Sequence, residues 1–331
     1  MSDGYRFVPL PDAIHRCRRK AAVFDQKVNG ALSGWIDLAF ISEQQIHIGS
    51  GFKALQDGKI VRTGVRIVGR PGFPGSSVKG MLRSRYEAIT KSCITAPKNG
   101  RVRSSSHRDI LRAELSLELR GRSLFRERCD KEGMCPTCAL FGRMSQRSRI
   151  AVSDFATDTS VVFEQSEIPE QFSPNLHHLG SFRIVQASPR HGGREQSAEN
   201  IFEVLTLHGR KFGLGQGRWA ENAKMQHVEV IPKDCILRGQ IRFMNVLPDE
   251  LGGLLVALGM LPTSKLKIGA GKCYGFGRMR LHDAKLQLRG TAGAPVAEET
   301  MQHWYEAFTA NSADRFTVGE ETLIMIHQGD C

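Results

Sequence analysis

Pro74-Gly75-Ser76-Ser77-Val78-Lys79-Gly80-Met81-Leu82-Arg83 is the stretch on which the reading of this chain turns. Ser76-Ser77 signals a helix start. Val78, Met81, Leu82, Ile89 and Cys93 then recur at spacings that share one face of a 3.6-residue helix. Lys79, Arg83 and Lys91 fall outside that stripe, and Pro71-Gly72-Phe73-Pro74-Gly75 forces a bend just upstream. A Gly/Ser turn set against a helix N-terminus offers unpaired amides and the positive end of the helix dipole, a setting that favours phosphate. Lys79 and Arg83, one turn apart, could flank such a group. The competing reading is a capped surface helix with solvated cations; the Gly-Lys-Ser/Thr ending of a nucleotide-binding P-loop is absent.

Outward from this helix, Gly34 to Ile48 reads as an apolar strand ending in a Gly/Ser turn, and Val65 to Val68 as a shorter one. Ile150 to Phe155, Val228 to Ile231, Ile236 to Val246 and Arg278 to Leu288 follow as strands, with a compact apolar helix at Leu251 to Leu261. Strand, helix, strand, then strand, helix, strand is the order of a ferredoxin-like α+β sandwich, whose sheet commonly binds RNA. Residues 1–33 form a basic N-terminal extension, and 34–290 the core. Two excursions leave it: a polar, arginine-rich insertion at 94–148, and a stretch of low periodicity at about 158–227. Residues 291–331 are expected to hold one amphipathic helix and a short strand at Thr322 to Ile326.

The 331 residues carry a formal net charge of +12, so salt-sensitive attraction of polyanions is expected and nucleic acid is the first partner to consider. A basic enzyme acting on an anionic metabolite would show the same balance. The longest apolar run falls short of the roughly 18 residues of a membrane helix, and no signal-peptide pattern opens the chain. A cytoplasmic protein with no membrane partner is the expectation.

Of the eight cysteines, Cys129, Cys135 and Cys138 cluster. Three thiolates with a Cys-x-x-Cys pair suit tetrahedral zinc, and a polar insertion with little core benefits from such a staple. His107 is the preferred fourth ligand and Cys93 the alternative. The expected cofactor is thus a structural Zn, with no organic cofactor. Farther on, Lys267-Ile268-Gly269-Ala270-Gly271-Lys272-Cys273-Tyr274-Gly275-Phe276-Gly277-Arg278 is a glycine loop. Gly269 and Gly271 would let backbone approach phosphate, Lys272 and Arg278 add charge, and Tyr274 could stack on a base. A tight turn between strands would need the same glycines.

The stretch from Pro74 to Arg83 resembles the Pro-Gly-Ser-Ser-hydrophobic-Lys-Gly-hydrophobic-Leu-Arg signature of the RAMP superfamily of CRISPR effector proteins. The glycine loop resembles that superfamily's glycine-rich loop. Cys135-Pro136-Thr137-Cys138-Ala139-Leu140-Phe141-Gly142 with Ser148-Arg149-Ile150-Ala151-Val152-Ser153-Asp154 resembles its central block, and the three occur in the family's order. The resemblance implies a modified ferredoxin-like (RNA-recognition-motif-like) fold with a zinc-bearing insertion and a projecting thumb. It implies a type III-like or related type IV backbone subunit that binds guide RNA and stacks head-to-tail on copies of itself. It further implies target RNA or DNA and other CRISPR effector subunits as partners. Candidate RNA-binding residues are His47, Ser76, Ser77, Lys79, Arg83, Arg143, Arg147, Arg149, Arg190, Arg210, Lys211, Gly269, Gly271, Lys272, Tyr274 and Arg278. RNA-cutting relatives keep an aspartate in the loop after His47-Ile48-Gly49, which makes Asp57 the catalytic candidate. An ordinary turn residue in Gln56-Asp57-Gly58 is the plainer reading.

Overall fold

The computed structural model describes residues 4–16, 26–94, 129, 133–143, 146–171, 180–186, 200–219, 221–290 and 294–328. The first half holds β1 (Tyr5–Val8), β2 (Leu32–Ser42), β3 (Gly49–Gln56), β4 (Lys59–Gly64), β5 (Arg66–Ile67), β6 (Arg70–Phe73) and α1 (Gly75–Ile89). There follow α2 (Pro136–Phe141), β7 (Ile150–Val152), β8 (Phe155–Thr157), β9 (Glu164–Pro169), β10 (Gly180–Gln186), β11 (Asn200–Leu207), β12 (Arg210–Gly213) and β13 (Met225–Val230). The chain continues through β14 (Ile236–Val246), α3 (Pro248–Ala257), β15 (Leu266–Lys267), β16 (Arg278–Leu288), α4 (Glu298–Ala310) and α5 (Thr317–Gln328).

The central sheet is built on period-two burial. Ile36, Leu38 and Phe40 of β2 alternate inward, as do Leu237, Ile241 and Phe243 of β14, and Ile36 lies opposite Ile241 in an antiparallel register. The strands run β15-β16-β2-β14-β8-β6-β5, with β7 also pairing β14. Each crossover skips a strand: α1 separates β2 from β8 across β14, and α3 separates β14 from β16 across β2. A second, four-stranded sheet runs β3-β4-β13-β9.

The inward side chains meet Val78, Leu82, Tyr86 and Ile89 of α1 and Leu251, Leu254 and Leu255 of α3 in one apolar core. Fully burying side chains of this size contributes roughly 1.5–3 kcal/mol each. α3 also carries the pair Gly252-Gly253, which costs helix propensity but lets α4 close in. A Cβ on Gly252 would lie 2.0 Å from the Trp304 carbonyl oxygen.

Three sequence expectations change. Thr322 to Ile326 is helical, not a strand: Glu320, Leu323, Ile326 and His327 of α5 are buried at helical spacing. The Pro71 to Phe73 bend is instead the strand β6, at the outer part of the sheet, where proline's missing N–H is tolerated. The low-periodicity excursion contains β9 to β13, including the hairpin β10-β11, and β12 is pinned by β1 from the N-terminal extension, Tyr5 opposite Gly213 and Val8 opposite Arg210.

Candidate functional site

α1 begins one residue before the serines. Pro74 is its N-cap without a side-chain bond, so Ser76 and Ser77 lie inside the first turn and do not cap it. The Gly75 amide donates to Asp154 Oδ1 at 2.7 Å, which removes one of the amides expected to face phosphate. Gly75 itself is required by close packing, since a Cβ there would lie 2.2 Å from the Val152 carbonyl oxygen. The helix stops at Ile89, so Cys93 is not on its apolar stripe.

The first half of α1 is a ridge between two depressions. On one side Ser76 and Lys79 face Arg147 and Arg242 across a cleft of about 670 Å³. On the other, Ser77, Gly80 and Ser84 line a cleft of about 320 Å³ with Lys211 of β12 and with Lys267, Gly269 and Lys272 of the glycine loop. Helix signature and glycine loop therefore share one surface. Among the described residues no Asp or Glu lines either cleft, and burial and then Arg83 press the Lys79 pKa below its ordinary value. An electropositive groove of this kind attracts an anionic strand.

The loop is held in shape by its own hydrogen bonds. The Ala270 amide donates to the His47 carbonyl at 2.9 Å and the Gly277 amide to the Gln45 carbonyl at 2.9 Å. Gly269 has φ +84°, and a Cβ there would lie 2.3 Å from the His47 carbonyl oxygen. Gly271 is buried, and Tyr274 sets its ring edge-on to Trp219 at 6.0 Å, an aromatic pair whose second member sequence reasoning missed.

Several expected RNA contacts are spent inside the protein. His47 is buried, and its Nδ1–H donates to the Glu229 carbonyl at 2.6 Å, so it supports the glycine loop instead of facing a ligand. Arg149 is 8 % exposed and pairs with Glu250. Arg83 donates to Glu87 at 3.0 Å and to the Gly142 carbonyl at 2.9 Å. Arg210 donates to Glu87 at 3.0 Å and to the carbonyls of Ser92 and Cys93 at 3.1 and 3.2 Å. Arg278 lies 3.2 Å from Glu43. A basic run shows where cations are, not which of them meet carboxylates folded in from distant sequence. Arg143 is half-buried at a bridge to Gln146, while Arg147 is exposed. Arg190 and His107 lie outside the described residues.

Asp57 and Gly58, at φ 48° and 74°, form the two-residue turn between β3 and β4, where Gln56 pairs with Lys59. Asp-Gly is a favoured pair for such a type I′ turn. Asp57 is exposed at the hairpin tip, and the turn accounts for its identity.

The cysteine group is closed by Cys93. The sulfurs of Cys93, Cys129, Cys135 and Cys138 all lie within 4.8 Å of one another, and all four residues are buried. Cys93 Sγ is 3.6 Å from Cys138 Sγ and 3.5 Å from Cys135 Sγ. These separations are far too long for a disulfide and near the ~3.8 Å edge that a metal–sulfur distance of about 2.3 Å gives a tetrahedron. Cys135 caps α2, its sulfur accepting the Cys138 amide at 3.5 Å, and Pro136 opens the helix. Without a metal the thiols share protons. Hydrogen bonds with Cys129, Cys135 and Cys138 push the Cys93 pKa up, while those with Cys135, Cys138 and Cys93 pull Cys129 down. Four buried thiols whose sulfurs all lie within 4.8 Å of one another are a donor set that can hold a metal ion.

His47 also sets a pH dependence. Desolvation by burial, the largest cause, lowers its pKa below the usual 6.5 despite the hydrogen bond to Glu229. From 6.5 downward to the folded value, the unfolded chain binds more protons than the native one, so stability rises with pH there and falls on acidification. In His47→Gln, the urea midpoint should drop less between pH 7 and pH 5 than in the parent. Equal drops would assign the acid sensitivity elsewhere.

No helix among the described residues is long and apolar enough to cross a membrane. No curated protein sequence matches the chain significantly. The RAMP superfamily model matches residues 42–280, a span that holds α1, the cysteine knuckle and the glycine loop. With that match over most of its length, the chain belongs to the RAMP superfamily and so to the CRISPR-associated RNA-binding proteins.

Proposed function

We propose that this chain is a guide-RNA-binding backbone subunit of a CRISPR effector, stacking head-to-tail on copies of itself along the guide and presenting it for pairing with a target strand. The observation that carries the proposal is the shared cleft. The α1 ridge and the glycine loop, remote in sequence, line one groove edged by Lys211, Lys267 and Lys272, with no Asp or Glu in its lining among the described residues. Lys79, Arg147 and Arg242 continue the positive surface on the far side of the ridge. Such a surface binds a sugar-phosphate strand through charge, leaving sequence choice to base pairing.

The strand order β16-β2-β14-β8, interleaved with α1 and α3, supports the ferredoxin-like reading of the core. The β10-β11 hairpin, emerging from the excursion, supports a projecting thumb. Zinc is the proposed occupant of the cysteine cluster, in a structural role, because four thiolates fill a tetrahedral shell and leave no open position for chemistry. Asp57 has no part in this reading.

The test is RNA binding by the full chain across a salt series. Lys211→Ala and Lys272→Ala should each weaken binding of a single strand irrespective of its sequence and each reduce the salt slope by about 1. Slopes that match the parent's in both variants would remove the groove from RNA binding.

A further inference from the structure

The smaller cleft has a floor as well as a rim. Lys211 and Lys272 are exposed at its mouth, whereas Arg85 and His327 line it at 2 % and 5 % exposure. Arg85 donates from Nε to the Ala257 carbonyl at 2.7 Å, from Nη1 to the Lys265 carbonyl at 3.2 Å and from Nη2 to Ser264 Oγ at 2.8 Å. Every acceptor is neutral. Burial lowers its pKa to about 9, the mark of a guanidinium with no carboxylate beside it among the described residues. A buried charge without a counter-ion is costly, and an anion bound next to it would offset that cost.

His327 points to the same kind of ligand. It sits in the last turn of α5 against the edge of Phe212, ring centroids 5.9 Å apart, and its Nδ1 has no hydrogen-bond partner among the described residues. Buried polar atoms in native proteins are rarely left unpaired, and those that are call for a ligand, an ion or a water. Ser77, Ser84, Lys211, Lys267 and Lys272 line the same cleft, with the Lys211 ammonium 3.5 Å from the centroid of the Tyr5 ring.

The shape separates two kinds of phosphate. An internal phosphodiester carries one charge and a nucleotide on each side, so reaching the floor would drag both neighbours down the walls. A phosphomonoester has a single tether, three acceptor oxygens and a charge of about −1.5 to −2 at neutral pH. The cleft, at about 320 Å³, has the capacity of a small ligand site.

We propose that this cleft is a socket for the phosphomonoester of a nucleotide, received by Arg85 and His327 at the floor and by Lys211 and Lys272 at the rim. The inference rests on the reading of the same surface as an RNA track, and the experiment separates the two. The full chain is titrated with one short oligoribonucleotide in three forms, hydroxyl at both ends, 5′-phosphate and 3′-phosphate, and with adenosine monophosphate. One phosphorylated form should bind at least tenfold tighter than the hydroxyl form, and the form that gains identifies the end received. The mononucleotide should compete for that gain; a gain confined to it alone would make a free nucleotide the natural ligand.

His327→Leu should erase the gain, with its thermal midpoint read on the same sample to show that it folds. Gly80→Leu is the second variant: a Cβ there meets nothing within 4 Å, so the added side chain projects over the cleft from an exposed helix position and should also erase the gain. Three strands of equal affinity, with no binding of the mononucleotide, would overturn the socket and leave the RNA track standing. Failure of every strand, with the mononucleotide still bound, would do the reverse.

Discussion

Replacing Cys93 with Ser should release the metal and weaken RNA binding in the same step. The serine hydroxyl is far less acidic than a thiol and a poorer donor to a soft metal, so one of four ligands is lost from a site whose occupancy, in structural zinc sites, is worth on the order of 10 kcal/mol. The damage should stay local. Cys93, Cys129, Met134, Cys135, Cys138 and Ala139 form a small cluster of their own, separate from the core beneath the main sheet. The far-ultraviolet spectrum should therefore change little while metal content falls from one equivalent to near none.

The link to binding runs through Arg210. Its guanidinium holds the carbonyls of Ser92 and Cys93, and the next residue along β12 is Lys211 on the rim of the cleft. Arg83 ties the same knuckle to α1, reaching the Gly142 carbonyl and, at 3.8 Å, the Cys138 sulfur. Loosening the knuckle frees both supports, and RNA affinity should fall by about tenfold, comparable to the loss of an outer-shell group that orients a metal site. Chelation of the parent protein should reproduce both losses. A Cys93→Ser protein that retains a full metal equivalent would place the fourth donor elsewhere.

The architecture was largely legible in sequence because its signals are local. β16 occupies the span read from alternation, Arg278 to Leu288, and β14 the span Ile236 to Val246. The helix at Pro74 to Arg83 was signalled by its apolar spacing, though its cap, Pro74, lies two residues before Ser76. The site was legible only in part, for a physical reason. Whether an arginine faces solvent or a carboxylate depends on which acids the fold brings to it: Glu250 reaches Arg149 from about 100 residues away, and Glu87 reaches Arg210 from farther still. Cys93 gave no spacing signal, since the insertion separates it from the other three cysteines. Arg85 and His327 carried none either. Each reads as an ordinary helix residue, and only the packing of α5 against α1 brings both to one cleft.

Glu250→Gln should be among the most destabilising single substitutions in the chain, at about 3–5 kcal/mol, because it strands a buried cation. Arg149 is the pin through three elements. It donates to the Ala139 carbonyl of α2 at 2.9 Å, to the Asn245 carbonyl at the bulge of β14 at 2.7 Å, and through two nitrogens to the Glu250 carboxylate at the start of α3. Glu250 Oε2 also accepts the Leu247 amide at 3.0 Å, so the same carboxylate caps the helix that covers the sheet. The amide of glutamine keeps the shape but supplies neither the charge nor the second acceptor. Arg149→Lys should be nearly as harmful, since a single ammonium cannot span the forked geometry. The double variant Arg149→Met with Glu250→Leu removes both charges and should recover a large part of the loss, leaving a coupling well above the 0.5 kcal/mol seen for independent sites. Urea midpoints of the parent, Arg149→Met, Glu250→Leu and the double variant measure it, and simple additivity of those two single changes would show that the pair contributes no more than its separate packing.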